Sequence, residues 1–188
     1  MKTMIFDFDE RNIEKISQLL AEDKVGAIPC DTIYGFCARS NNSTREKIYE
    51  LKKRPQNKNL ITLMNKEYLS RSSLIVPKFL YDIWPAPLTA ILKKKDSDET
   101  VAVRIPNDSF ILSLIDSIGP IWSTSVNISG QPSLNTFEDI KKFFDNEVDF
   151  IVKKEIKGEA VASTLVDFSS DEVKIIRQGA FDIKPYLI

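Results

Sequence analysis

"STREKIYELKKRPQNKNLITLM", residues 43–64, changes from one backbone period to the other within a single stretch. Ser43 followed by Glu46 has the reciprocal spacing of a capping box, in which two side chains satisfy free N–H groups of a first helical turn. Ile48 and Leu51 lie three apart and mark the buried side of the helix that follows. Pro55 ends it, because proline lacks an N–H and disfavours helical geometry in the residue before it. "LITLM" (60–64) is then a short apolar run between polar residues, the form of a buried strand. A helix that hands over to a buried strand across one short bend is the repeating unit of an α/β domain.

The same alternation extends in both directions. Residues 4–8 read as a strand, and Ile13, Ile16, Leu19 and Leu20 form one helical face. "VGAIP" (25–29) reads as a buried strand running into a polar turn, "CDTIYG" (30–35). Downstream the pattern predicts a helix over 77–84 and strands over 88–92 and 100–105. Asp108 caps a helix reaching Ile118, "PIWSTS" (120–125) is a strand, and Thr136 caps a helix reaching Phe144. Three strands near 148–152, 163–168 and 172–177 close the chain. The expectation is one α/β domain over residues 1–188, with helices covering a twisted, mixed sheet.

Composition narrows the function. Apolar content of 43% and charged content of 28% suit a globular domain, and a net charge of −1 argues against coating nucleic acid by charge alone. No apolar run approaches the roughly 20 residues of a membrane span. The start "MKTMIFDFDE" turns acidic too soon for a signal peptide, so a cytoplasmic location is expected. Cys30 and Cys37, with six residues between them, are expected to be free thiols. The chain has no histidine, which removes histidine triads, imidazole bases and most zinc sites. Neither a Walker loop nor a dinucleotide-binding glycine fingerprint occurs, so any phosphate must be held largely by side chains.

Three polar stretches stand out. Lys52, Arg54 and Lys58 surround Pro55 in a bend that contributes little to a core, and two readings fit it. One is a solvated basic helix end; the other is a phosphate site, with Lys52 and Arg54 converging where the backbone turns extended. In "PIWSTSVNISGQPS" (120–133) Ser123, Ser125 and Asn127 share one parity at the end of a strand, beside the Gly130 turn. Small donors so placed suit phosphate or ribose oxygens, although a self-bonded polar loop has the same composition. In "TVAVRIP" (100–106) Thr100, Ala102 and Arg104 share a strand face, and a mid-strand arginine takes a carboxylate from the protein or from a ligand.

Together these stretches resemble the YrdC-like family in its TsaC-type branch, the L-threonylcarbamoyl-AMP synthases. The likeness rests on "IPCDTIYGF" (28–36), "YELKKRPQNKNL" (49–60), "WPAPLTAIL" (84–92), "VAVRIP" (101–106), "STSVNISGQPS" (123–133) and "STLVDF" through "IIRQG" (163–179), in the family's order. The chain departs from the family at Cys30 (threonine), Ala86 (glycine), Gln178 (proline) and Leu63, where many relatives carry histidine.

The resemblance implies a concave sheet face that binds both substrates, and formation of threonylcarbamoyl-AMP and pyrophosphate from L-threonine, bicarbonate and ATP. It implies Thr32, Arg104, Ser123 and Ser163 around threonine, with Arg104 on the carboxylate. It implies Lys52, Arg54, Lys58, Thr100, Ser125, Asn127, Ser133 and Arg177 around ATP, with Lys52 and Arg54 as the catalytic cations. Mg²⁺ would arrive with ATP, and the sequence identifies no protein ligands for it. The product would pass to transferase proteins for the t6A modification of tRNA, with weak RNA contact at most. Two other readings are an RNA-binding protein using Lys52–Lys58, Lys93–Lys95 and Lys141–Lys142, and a related carbamoyl-adenylating domain.

Overall fold

Helices in this chain start where a short polar side chain can accept a hydrogen bond from the first turn. The computed structural model describes residues 2–53, 55, 59–155 and 160–187. In it Asn41 caps α2 (Asn42–Lys52) by accepting from the Thr44 N–H at 3.0 Å. Asn65 caps α3 (Lys66–Ser70) in the same way, Asp108 caps α5 (Ser109–Ile118), and Thr136 caps α6 (Phe137–Phe144). The Asp108 and Thr136 caps are those expected from sequence. The Ser43–Glu46 box is not used, because Asn41 stands two residues earlier in extended backbone and takes the cap. The remaining helices are α1 (Ile13–Ala21) and α4 (Leu80–Ile83), the latter shorter than the predicted 77–84.

The strands are β1 (Met4–Asp7), β2 (Gly26–Pro29), β3 (Tyr34–Arg39), β4 (Ile61–Leu63) and β5 (Leu88–Lys93). They continue with β6 (Thr100–Arg104), β7 (Ile121–Ser125), β8 (Phe150–Lys153), β9 (Thr164–Asp167) and β10 (Lys174–Arg177). All join one mixed sheet in the order β1-β8-β2-β3-β7-β4-β6-β5-β9-β10. The sequence reading missed β3, whose first residues fell inside the predicted polar turn. That strand is buried from Tyr34 to Ala38, so it lacks the alternation that marks a half-exposed strand.

Parity then sorts the side chains. On one face α1 and α5 bury Ile16, Leu20, Phe110 and Leu114 against Cys37, Leu63, Ile121 and Phe150. On the other, α2 and α6 bury Ile48, Tyr49, Ile140 and Phe144 against Tyr34, Phe36 and Ile151. A third cluster packs Leu80 and Trp84 against Leu88, Ala90, Val103 and Val166. Helices α1 and α5 reach only part of the first face. Its other part, running from β3 across to β10, is left open.

Lys52 is the correction with most consequence. The expected polar bend contributes a side chain that is only 2% exposed. Its ammonium donates to the Ser125 carbonyl, to Asn127 Oδ1 at 2.6 Å and to the Asn127 carbonyl at 3.1 Å. The Lys52 carbonyl in turn accepts from the Ser129 N–H at 2.8 Å. Lys52 therefore fastens the end of α2 to the loop after β7, and a solvated helix end is excluded for it. The other members of the predicted cluster, Arg54 and Lys58, lie outside the described residues.

Two stability measurements follow. Lys52→Met leaves the Ser125 and Asn127 carbonyls without their donor, at about 1–3 kcal/mol for each unsatisfied group, and should lower the thermal midpoint sharply. Asp108→Ala removes one helix cap. It should cost about 1 kcal/mol, or roughly 2–4 °C for a chain of this size, by calorimetry.

Candidate active site

Residues paired in register across a sheet project from the same face, so the open region can be read strand by strand. Gly35 pairs with Ser125, Ser123 with Ile61, Ile61 with Ala102 and Ala102 with Ile91. Arg104 lies two residues beyond Ala102, and Leu165 links Thr89 to Arg177. Apart from Thr89, these residues floor a cavity of about 360 Å³, walled by Thr32, Ile33, Asn59, Ala162 and Ser163. A larger hollow of about 690 Å³ lies over α2 and α6, but it mixes Lys24, Lys47 and Lys53 with Glu50, Glu147 and Asp149. The convergent polar groups are in the smaller one.

Arg104 is the centre of this cavity. It is 3% exposed, and its Nη2 lies 3.2 Å from Asp31 Oδ1, both side chains being buried. Asp31 Oδ2 accepts from the Asn107 N–H at 3.1 Å. Among the described residues at this cavity, Arg104 Nε, Thr32 Oγ1 and Asp31 Oδ1 are buried without a hydrogen-bond partner, so the Arg104–Asp31 contact is an ion pair and not a hydrogen bond. Such groups cost free energy unless something binds them, which makes them the natural anchors for a polar ligand.

Across the floor, Ser163 Oγ shares a 2.8 Å hydrogen bond with Thr89 Oγ1. The Ser163 carbonyl accepts from Arg177 Nε and Nη2 at 3.1 and 2.8 Å. Burial, and then the neighbouring Arg104 charge, push the Arg177 guanidinium below its ordinary value. Two guanidiniums close enough to repel each other are stabilised by an anion between them.

The structure thus gathers all four residues expected around threonine, Thr32, Arg104, Ser123 and Ser163, into one cavity. Of the group expected around ATP, Ser125 and Arg177 line the same cavity. Ser125 Oγ donates to Asn127 Oδ1 at 2.7 Å, so Asn127 and Lys52 stand behind it in one network. Thr100 faces an adjoining hollow of about 400 Å³ with Arg45 and Trp122, which meets the first at Asn59 and Ala102. Ser133 is exposed and lines neither.

Two contributors were not identified from sequence. Asp31 lay within a quoted motif without a role. Gly35 forms part of the floor, where an added Cβ would come within 2.6 Å of Ser123 Oγ. A glycine inside a strand is a sequence signal for such close approach. Beneath Gly35 the Cys30 and Cys37 sulfurs lie 4.0 Å apart, both buried and unbonded. The hydrogen bond with Cys37, and then burial, push the Cys30 thiol well above its ordinary value.

Known proteins resemble this chain in sequence and fold. Threonylcarbamoyl-AMP synthase of Bacillus subtilis is 33% identical over 91% of this chain, which spans 54% of that protein's length. Threonylcarbamoyl-AMP synthase of Vibrio campbellii is 27% identical over 90% of this chain and is matched over its whole length. The crystal structure of Pyrococcus abyssi Sua5 complexed with L-threonine superposes with a TM-score of 0.86 at 26% identity. That match covers 98% of this chain and 59% of that one. A family model described as "Telomere recombination" matches residues 18–179, and the chain therefore belongs to the Sua5/YciO/YrdC family.

Proposed function

We propose that this chain is an L-threonylcarbamoyl-AMP synthase, an enzyme of the nucleotidyl-transfer class acting on L-threonine, bicarbonate and ATP. The observation that carries the reading is the buried Arg104, with an unpartnered Nε, beside the unpartnered Thr32 hydroxyl in a cavity of amino-acid size. The likeness to threonine-bound Sua5 supports the same substrate.

In this reading the α-carboxylate of threonine lies on Arg104, and Thr32, Ser123 and Ser163 present hydroxyls to its remaining polar groups. The threonine amine and bicarbonate give a carbamate with release of water. The carbamate oxygen attacks the α-phosphate of ATP, and pyrophosphate leaves. The carbamate is already anionic, so no strong base is required for this step, which suits a chain without histidine. What the step needs is alignment and charge neutralisation. Besides Arg104, Arg177 is the described cation that lines the cavity, and Arg54 and Lys58 are the proposed phosphate partners outside the described residues. Lys52 supports Ser125 and Asn127 from behind. In this reading Mg²⁺ arrives on the ATP phosphates. Transfer of the product to tRNA would fall to separate proteins.

The test is incubation with ATP, bicarbonate and single amino acids, followed by mass spectrometry. Pyrophosphate and an acyl-AMP should form with threonine; formation from carbamoyl phosphate instead would favour the related carbamoyl-adenylating reading. Arg104→Lys keeps a charge for Asp31 but loses the two-pronged geometry. Losing one charge-assisted contact corresponds to about 1.5–3 kcal/mol, so threonine affinity should fall roughly 10–100-fold. ATP affinity, measured by the same calorimetry, should hardly change. Equal losses for both ligands would refute the assignment of Arg104.

A further inference from the structure

We infer that Asp31 is a positioning residue for the amino-acid substrate: it fixes the Arg104 guanidinium and couples it to the Thr32 turn. This rests on the proposed function and names a residue that the proposed substrate set does not include.

Arginine carries several rotatable bonds, and Arg104 has one ion-pair partner among the described residues, Asp31. That partner is itself held. One carboxylate oxygen faces Arg104 Nη2 at 3.2 Å, and the other accepts from the backbone of Asn107, just past the strand that carries Arg104. Asp31 also immediately precedes Thr32, whose free hydroxyl lines the cavity. One carboxylate therefore ties together two separated parts of the chain, the β2–β3 turn and the end of β6. It occupies one edge of the guanidinium and leaves Nε for a ligand. Arg177, on the far side, repels Arg104 and cannot hold it in place.

Removing Asp31 has two opposed effects on an anionic ligand. It takes away a nearby negative charge, which favours binding, and it frees the guanidinium, which disfavours it. A displacement of about 1 Å in a positioning group can cost on the order of 100-fold. Threonine brings an ammonium as well as a carboxylate, so the lost repulsion is partly cancelled. Loss of orientation should win.

The experiment pairs Asp31→Asn with Asp31→Glu in the full chain. Asparagine can still accept from the Asn107 N–H but carries no charge. In Asp31→Asn, threonine affinity by calorimetry should fall about 10–100-fold, and the Michaelis constant for threonine should rise with it. ATP affinity should stay near wild type, while the thermal midpoint should fall because Arg104 loses its buried ion-pair partner. Asp31→Glu, which keeps the charge at a longer reach, should recover part of the threonine affinity. If Asp31→Asn does not fold, the glutamate variant still has to shift threonine binding without shifting ATP binding. Nitrogen-15 NMR of arginine Nη groups gives a readout without ligand. The Arg104 Nη signals, assigned by their absence in Arg104→Lys, should show restricted guanidinium rotation in wild type and faster averaging in Asp31→Asn.

Unchanged or tighter threonine binding in a folded Asp31→Asn protein overturns the inference. So does an equal loss for both ligands, or an Arg104 signal indifferent to the substitution. A wild-type protein that binds ATP but no threonine, with the Arg104 signal still dependent on Asp31, overturns the substrate reading and with it the ligand part of this inference.

Discussion

Every side chain on a strand must point to one face of the sheet or the other, and this binary choice organises the molecule. Cys37, Ser123, Ile61, Ala102 and Ile91 form one transverse row through consecutive pairings. The row begins under α1 and α5 as core and ends in the open as cavity floor. A shift of one residue in any of these strands would send Arg104 or Ser123 into the opposite, apolar face. Sheet register thus protects the stability of the fold and the chemistry of the cavity with the same hydrogen bonds.

The charges follow from this geometry. Arg104 emerges from a strand paired on both sides and is matched by a carboxylate from a turn. Lys52 emerges from a helix end and is matched by carbonyls and one amide oxygen of a loop. The first leaves its Nε available toward the cavity; the second turns its ammonium inward to the loop. Two buried cations from two separate motifs therefore do different work, one facing the cavity and one fastening the loop that borders it.

Most elements were legible in the sequence because their signals are local. Asp108 and Thr136 announce their helices, and Ser123 and Ser125 disclose a common face through parity alone. What failed to show was fixed by partners distant in the chain. β3 has no alternation because both its faces are covered, so a local pattern could not separate it from the turn before it. The Ser43–Glu46 box has the right spacing, but Asn41 had the right backbone. Lys52 read as either a solvated helix end or a phosphate contact, and only the arrival of the loop after β7 encloses it. Asp31 was visible as a residue but not as a partner, since nothing within the turn indicates that Arg104 will come to rest against it. The family resemblance grouped Thr32, Arg104, Ser123 and Ser163, which the fold brings to one cavity, where local reading could not, because it carries information about contacts across the chain.

The register irregularity of the outermost strand has a further consequence. β10 is paired on one side only, and its ladder to β9 slips between Ile175 and Arg177, whose neighbours Ile175 and Ile176 are exposed. An edge strand with an interrupted ladder and little apolar cover opens at a lower free energy than the interior of the same sheet. Arg104, by contrast, belongs to a strand whose opening approaches global unfolding. The cavity consequently spans a gradient of local stability, with one guanidinium anchored in the most persistent part of the protein and the other carried by the part that breathes first.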